Sequence, residues 1–128
     1  CIRDRYAYAW RTLLDRKTML AFGSDAPVAS PNPFEGLFAA VTRRRPDGYP
    51  GPDGWYPNER ITLQAALTAY THGAAYTAGM EDRLGMLAPG YLADLIVLEQ
   101  DPFQVPPDEL RQLLPAATMV GGEWVYRQ

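Results

Sequence analysis

The chain has 128 residues, of which 47% are hydrophobic and 21% charged, a balance typical of one globular domain rather than of a disordered chain. Its 12 Lys and Arg against 15 Asp and Glu give a net charge of −3, which offers no basic surface for nucleic acid or an anionic membrane. No apolar run reaches the roughly 20 residues of a membrane helix. The single cysteine, Cys1, excludes an intrachain disulfide, and the single histidine, His72, cannot supply a three-histidine metal site.

The first part of the chain alternates between helical and strand-like patterns. Apolar side chains recur at three- and four-residue spacing in residues 3–16, which predicts an amphipathic helix. Residues 18–23 are a short apolar run that precedes a polar loop, and this pattern predicts a strand buried on both faces, as in a parallel sheet. A helix, a strand and a polar loop in succession indicate an α/β fold.

Two more helices are predicted downstream of this loop. Residues 34–44 have a helical pattern, and residues 62–78 form the clearest amphipathic stripe in the chain, with Thr62 as the N-cap and Gly79 just past the end. Between these helices, residues 46–58 contain four prolines and three glycines, which predicts a long loop.

The last third of the chain is dominated by strand patterns. A short strand and turn is predicted at 84–90, and strands are predicted at 91–98, 117–120 and 123–127. Gly121 and Gly122 predict a two-residue hairpin turn between the last two strands. Residues 106–114 predict one short helix with proline in its first turn. The chain therefore divides near residue 80 into an α/β part and a smaller β-rich part.

Asp25 is the first candidate for chemistry because it follows the buried strand directly. Ligands of α/β folds bind at the carboxyl ends of strands, where carboxylates are commonly catalytic, although an aspartate there can equally cap a turn. His72 lies within a helix and is expected to be structural. The run from Arg43 to Arg45 is expected to be a solvated helix end, with anion binding as the alternative.

Three segments together resemble a known family. They are FGSDAP at 22–27, ERITLQAALTAYTHGAAYTAG at 59–79, and LGMLAPGYLADLIVLEQDPF at 84–103. These residues are similar to the C-terminal end of an amidohydrolase-superfamily enzyme, in the amidohydrolase 3 group of YtcJ-like proteins and N-substituted formamide deformylases. The resemblance extends to the closing MVGGEWVY at 119–126.

The resemblance implies a fold that the local patterns alone do not give. Family members have a metal-dependent (β/α)₈ TIM barrel and a small composite β-sandwich built from both chain ends. Residues 1–80 would be the C-terminal βα portion of that barrel, with 18–23 as its last strand. Residues 81–128 would be the C-terminal part of the urease-like composite β-sandwich.

The resemblance also implies the chemistry of particular residues. Asp25 matches the family aspartate that contacts a divalent metal, with zinc the expected ion, or its bound water, and acts as general acid and base during hydrolysis of an amide-type small molecule. Asp94 matches a structural residue of the β-domain. Trp55 and Tyr56 match a region near the mouth of the barrel, which makes them candidate neighbours of the substrate pocket.

The histidine ligands of the family have no counterpart in this sequence, and His72 is not at a family metal position. We therefore expect the chain to be a segment of a longer hydrolase of carbon–nitrogen bonds other than peptide bonds, inactive and metal-free on its own, whose partner is the missing N-terminal barrel segment. A deaminase or cyclic amidase of the same superfamily is an alternative. So is a non-catalytic scaffold that self-associates into a homo-oligomer through exposed strands. The expected location is cytoplasmic, without nucleic-acid or membrane partners.

Overall fold

A computed structural model describes residue 4 and residues 6–128; Cys1 lies outside this part of the chain. Its helices are α1 (Trp10–Asp15), α2 (Pro33–Thr42), α3 (Leu63–Thr68) and α4 (Ala74–Thr77), with a π-helical turn at Ala69–Gly73 and 3₁₀ helices at Pro57–Glu59 and Pro107–Gln112. Its strands are β1 (Leu95–Leu98), β2 (Pro115–Val120) and β3 (Glu123–Arg127). Among the described helices, none has the length and apolar character needed to cross a membrane.

Of the helix predicted at 3–16, the described residues from Tyr6 onward form only α1, and residues 3 and 5 lie outside the described part of the chain. Tyr8 has a left-handed backbone with φ of 54°, which a right-handed helix cannot include, and α1 therefore begins only at Trp10. Lys17 is also left-handed, with φ of 60°, and the Thr18 N–H donates to the Leu13 carbonyl at 3.0 Å. These two residues bound the helix on either side.

Residues 18–23 do not form the predicted strand, because a strand needs a hydrogen-bonded neighbour and the described strands pair only with one another. The segment lies against the helical residues that follow instead. The Phe22 N–H donates to the Ala69 carbonyl at 3.0 Å, and the Leu20 carbonyl lies so close to Gly73 that any side chain there would collide with it. Gly73 therefore permits this close contact.

The helix predicted at 62–78 is confirmed, with an irregularity in its middle. Thr62 caps its start, since its hydroxyl accepts from the Ala65 N–H at 3.2 Å, and Gly79 follows its end with a left-handed φ of 65°. The π-helical turn Ala69–Gly73 interrupts the regular winding between α3 and α4. Its Ala69 carbonyl is the one that Phe22 contacts.

Helix α2 confirms the prediction at 34–44, shifted by one or two residues at its ends. Asn32 caps it, because the side-chain carbonyl accepts from the Phe34 N–H at 3.0 Å, and Pro33 occupies the first turn. The helix ends at Thr42 because Arg43 is left-handed, with φ of 58°.

The main hydrophobic core forms around α2 and draws on both parts of the chain. Its buried members are Phe34, Leu37, Phe38, Ala40, Ile61, Ala66, Leu110 and Leu113. Leu110 and Leu113 come from the Pro107–Gln112 helix and the residue after it, the segment predicted as a short helix at 106–114. The chain thus returns to α2 after forming β1.

The sheet is antiparallel, in the order β1-β2-β3. Gly121 and Gly122 both have positive φ, 58° and 86°, which confirms the predicted two-residue hairpin turn. Asp94 is the residue before β1, and it holds this turn in place because its carboxylate accepts a hydrogen bond from the Gly121 N–H at 2.6 Å. This contact agrees with the structural role expected for Asp94.

Of the short strand and turn predicted at 84–90 the strand is wrong, and the strand predicted at 91–98 is limited to Leu95–Leu98. Residues 84–90 form turns instead, bounded by Gly85 and Gly90, whose φ values of 85° and 92° are incompatible with an extended strand. Gly85 also lies against the π-helical turn, because a side chain there would approach the His72 Cα at 2.8 Å. The segment therefore packs on the helix and leaves the sheet with three strands.

We predict that Leu110→Ala lowers the free energy of unfolding by about 3 kcal/mol, since it leaves a cavity in the core around α2. Leu110 is 2% exposed, whereas Leu114 is 66% exposed, so Leu114→Ala is a matched control with an expected change below about 0.5 kcal/mol. Urea unfolding followed by circular dichroism measures both. Equal effects of the two substitutions would show that the Pro107–Gln112 helix is not part of this core.

Candidate functional site

Asp25 lies in a turn directly after the FGS residues and is exposed. Its backbone is left-handed, with φ of 55°, and its carbonyl accepts from the N–H groups of Val28 and Ala29 at 2.9 and 3.3 Å. Within the described residues, its carboxylate accepts no hydrogen bond. The main chain of Asp25 therefore closes the turn, while the side chain is free to meet a ligand.

A cleft of about 460 Å³, here called the motif cleft, lies beside this turn. Its polar and charged lining comes from Ser24, Ser30, Asn32, Glu35, Arg44 and Arg45, and the rings of Tyr8, Phe38 and Tyr70 also line it. Tyr70 lies over Gly36, whose lack of a side chain leaves room for the tyrosine hydroxyl. Burial raises the pKa of the Tyr70 hydroxyl above its ordinary value of 10.0.

A second cleft of about 430 Å³, here called the aromatic cleft, adjoins the first. Its lining residues are Tyr8, Trp10, Ala39, Arg43, Arg44, Arg45, Tyr49, Pro50 and Trp55. Of the two predicted pocket neighbours, Trp55 lines this cleft. Tyr56 packs behind Trp55 with ring centroids 4.8 Å apart. The two clefts share Tyr8, Ala39, Arg44 and Arg45, so they lie next to each other.

The expectation that Arg43 is part of a solvated helix end is wrong, because Arg43 is only 7% exposed. Its guanidinium donates to the carbonyls of Trp55 and Tyr8, each at 3.0 Å. It lies over the rings of Trp10 and Trp55, at 4.7 and 5.0 Å from their centroids. Burial lowers the pKa of Arg43, and the nearby Glu59 carboxylate opposes that change. Sequence reasoning missed this residue because its contacts lie 12 and 35 residues away.

Glu59 is a second residue that the sequence analysis missed. Ala9 precedes α1 and has no side chain that could cap the helix, so the Glu59 carboxylate does so from 47 residues away. It accepts from the Thr12 N–H at 2.9 Å and from the Thr12 hydroxyl at 2.5 Å. Burial by itself would raise the pKa of Glu59, but hydrogen bonds from Thr12 and Arg11 and the charge of Arg43 outweigh it and lower the pKa.

Metal ligands are not grouped in the described part of the chain. No cluster of three or more His, Cys, Asp or Glu side chains capable of holding a metal ion occurs there. His72 lies half-buried in the π-helical turn, and its Nδ1 is buried without a hydrogen-bond partner among the described residues. Asp25 alone is a single carboxylate, so the described residues do not make up a metal site.

We predict that Glu59→Gln lowers the free energy of unfolding by about 1 kcal/mol at pH 7, since it removes the charged cap of α1. Because the folded pKa of Glu59 is lowered from 4.5, the contribution of its charge is present above that value and is lost as the pH falls through the folded pKa. Denaturant unfolding at several pH values measures the difference. Glu99→Gln, at an exposed site, is the control. A difference that stays constant between pH 7 and pH 3 would contradict the assignment.

Comparison with known proteins gives the chain its family. A model of the amidohydrolase family, amidohydrolase 3 group, matches residues 2–126. The putative amidohydrolase YtcJ of Bacillus subtilis is 35% identical over 126 residues, which are 98% of this chain and 24% of that protein. The N-substituted formamide deformylase of Arthrobacter pascens is 32% identical over 118 residues, 92% of this chain and 21% of that protein. Protein LONG AFTER FAR-RED 3 of Arabidopsis thaliana is 38% identical over 94% of this chain and 20% of its own length.

The structural comparison agrees. The crystal structure of an amidohydrolase from Thermotoga maritima MSB8 is similar with a TM-score of 0.68 and 20% identity, over 94% of this chain and 26% of that one. The chain spans about a quarter of the length of the relatives it matches. Since the family model covers nearly all of its residues, the chain belongs to the amidohydrolase family.

Proposed function

We propose that this chain is the C-terminal part of a hydrolase that acts on carbon–nitrogen bonds other than peptide bonds, with Asp25 as its proton-transferring carboxylate. The observation that supports this most directly is the side chain of Asp25, which is exposed and accepts no hydrogen bond among the described residues. It stands beside the motif cleft in a segment that the amidohydrolase family model matches.

The chemistry of such a carboxylate fits hydrolysis of an amide-type small molecule. A carboxylate with no internal partner can take a proton from attacking water and return it to the departing nitrogen. The left-handed turn at Asp25 uses the backbone carbonyl for its own hydrogen bonds, so the carboxylate is not needed to hold the loop. The same proton transfer would serve a deaminase or a cyclic amidase.

The divalent metal expected for the family, with zinc the first choice, does not fit the described residues alone. We therefore propose that its ligands come mainly from the barrel segment that the relatives have upstream, with Asp25 as this chain's one contribution. Residues 18–23 would then pair with that segment as the last barrel strand. Their position beside the helix of residues 63–77, without a sheet neighbour among the described strands, supports this proposal.

The sheet edge supports a second candidate, a scaffold that pairs with another copy of the chain. Every residue of β3 is exposed, including Trp124, Val125 and Tyr126, and β3 has one neighbour only. Unpaired edges of this kind template further strands. A mass that rises with concentration in sedimentation equilibrium would favour this alternative.

We predict that the 128-residue chain by itself binds less than about 0.1 metal ion per molecule and has no amide hydrolase activity, because one carboxylate cannot hold a catalytic metal. Elemental mass spectrometry on purified protein, with formate or ammonia release as the activity assay, checks both points. About one zinc per chain would contradict this prediction and indicate ligands supplied between copies.

We predict that Asp25→Asn reduces kcat at least about 100-fold in a chimera in which these residues replace the matching end of the Arthrobacter pascens deformylase. The asparagine keeps the size of the side chain and removes its proton transfer. Asp82→Asn, at an exposed turn with no hydrogen bond in the described chain, is the matched control and should leave kcat unchanged. A chimera whose activity survives Asp25→Asn would rule out the proposed role.

A further inference from the structure

Asp25 lies in a loop, residues 24–32, whose two ends are attached to different elements of the fold. Before the loop comes the segment 18–23, which has no sheet neighbour among the described strands. After the loop comes the first turn of α2. Because no ladder of hydrogen bonds holds the first end, the position of the Asp25 carboxylate depends on the side-chain and backbone contacts at both ends.

The π-helical turn Ala69–Gly73 supplies the contacts at the first end. Its Ala69 carbonyl accepts from the Phe22 N–H at 3.0 Å. The ring of Tyr70, in the same turn, packs edge-on against the Phe22 ring with centroids 5.5 Å apart, a favourable aromatic geometry. π-Helical turns within α-helices are frequent at functional sites, and this one contacts the residue three positions before Asp25.

The same tyrosine reaches the second end of the loop. The Tyr70 hydroxyl lies so close to Gly36 in α2 that a methyl group on Gly36 would collide with the hydroxyl oxygen. Phe22 and Tyr70 both pack against the hydrophobic core around α2. One side chain therefore contacts Phe22 before the loop and Gly36 after it.

We propose that Tyr70 is a positioning residue for Asp25, because it joins the two ends of the loop that carries the carboxylate. The role of Asp25 itself rests on the function proposed above. A group that transfers a proton must be held in place, since a displacement of about 1 Å can lower a rate about 100-fold. Tyr70 acts through Phe22 and Gly36, so its loss should lower kcat and leave KM nearly unchanged.

Amide hydrogen exchange in the 128-residue chain, followed by NMR, tests the contact at the first end without any need for catalysis. The Phe22 N–H reports on this end, and the Trp55 N–H, which donates to the Arg43 carbonyl at 2.8 Å, is the internal reference. We expect Tyr70→Leu to accelerate exchange at Phe22 at least about tenfold through local opening and to leave exchange at Trp55 unchanged. Tyr76→Leu, which removes an exposed ring from α4, is the matched control and should change neither rate.

A pair of substitutions in the chimera described above tests the contact at the second end. Gly36→Ala favours the helix, but its methyl group displaces the Tyr70 hydroxyl and with it the ring. Tyr70→Phe keeps the ring and removes the hydroxyl, which leaves the ring carbon Cζ as the nearest atom to that methyl group, at 2.9 Å. We expect Tyr70→Leu and Gly36→Ala each to lower kcat at least about tenfold, with KM changed less than about twofold. Tyr70→Phe alone should retain kcat, and added to Gly36→Ala it should restore most of kcat.

Several results would overturn the inference. They are an unchanged exchange rate at Phe22 in Tyr70→Leu, equal acceleration at Phe22 and Trp55, which would indicate a general loss of stability, and a kcat that Tyr70→Leu does not lower. Failure of the proposed function is a separate outcome. If the chimera keeps its activity with Asp25→Asn, the role of Asp25 is wrong and the exchange rates still test the contact. If Asp25→Asn is inactive while Tyr70→Leu is fully active, the positioning role alone is wrong.

Discussion

The burial of Arg43 is the constraint on which the arrangement of residues 8–60 depends. A guanidinium withdrawn from water needs compensation, and here two peptide carbonyls and two indole faces provide part of it, while its Nη2 is buried without a hydrogen-bond partner among the described residues. Those partners belong to Tyr8 before α1, to Trp10 at the start of α1 and to Trp55 in the 46–58 loop, while Arg43 itself follows the end of α2. One side chain thus fixes three segments that have no strand pairing to hold them.

Helix α1 also depends on contacts from distant residues, because a helix of six residues would not be stable alone. Glu59 satisfies its first N–H groups, and Trp10 packs against Arg43 and Phe22. The short helix therefore exists because distant residues complete it.

Local sequence patterns correctly predicted the helices and turns that are determined by residues within the same segment. Thr62, the apolar stripe after it and Gly79 define a helix within one segment, and two adjacent glycines define a hairpin turn. Asp25 was identified partly from its position and mainly from the family resemblance, and its role stays a prediction. The prediction of a strand at 18–23 was wrong for the described chain, because a strand forms only when a second segment pairs with it and the local pattern does not show whether one does.

Other features were beyond the reach of any local pattern. A run of three arginines is ordinarily solvated, and only the folded chain shows that Arg43 has neighbours up to 35 residues away. Glu59 and Thr12 are 47 residues apart, and neither has an unusual sequence context. The aromatic cleft is lined by rings that the sequence distributes between Tyr8 and Trp55, so the resemblance could suggest Trp55 as a pocket neighbour without showing the other residues of the pocket.

The return of Leu110 and Leu113 to the core around α2 has a consequence for how such chains diverge. The β-rich end cannot be exchanged for that of another family member as an independent module, because two of its leucines fill a space shaped by Phe34, Leu37 and Phe38. Recombination near residue 80 would leave mismatched volumes on both sides. Substitutions in α2 should therefore be accompanied by compensating substitutions in the Pro107–Gln112 helix, and the two parts of the chain should be inherited as one unit.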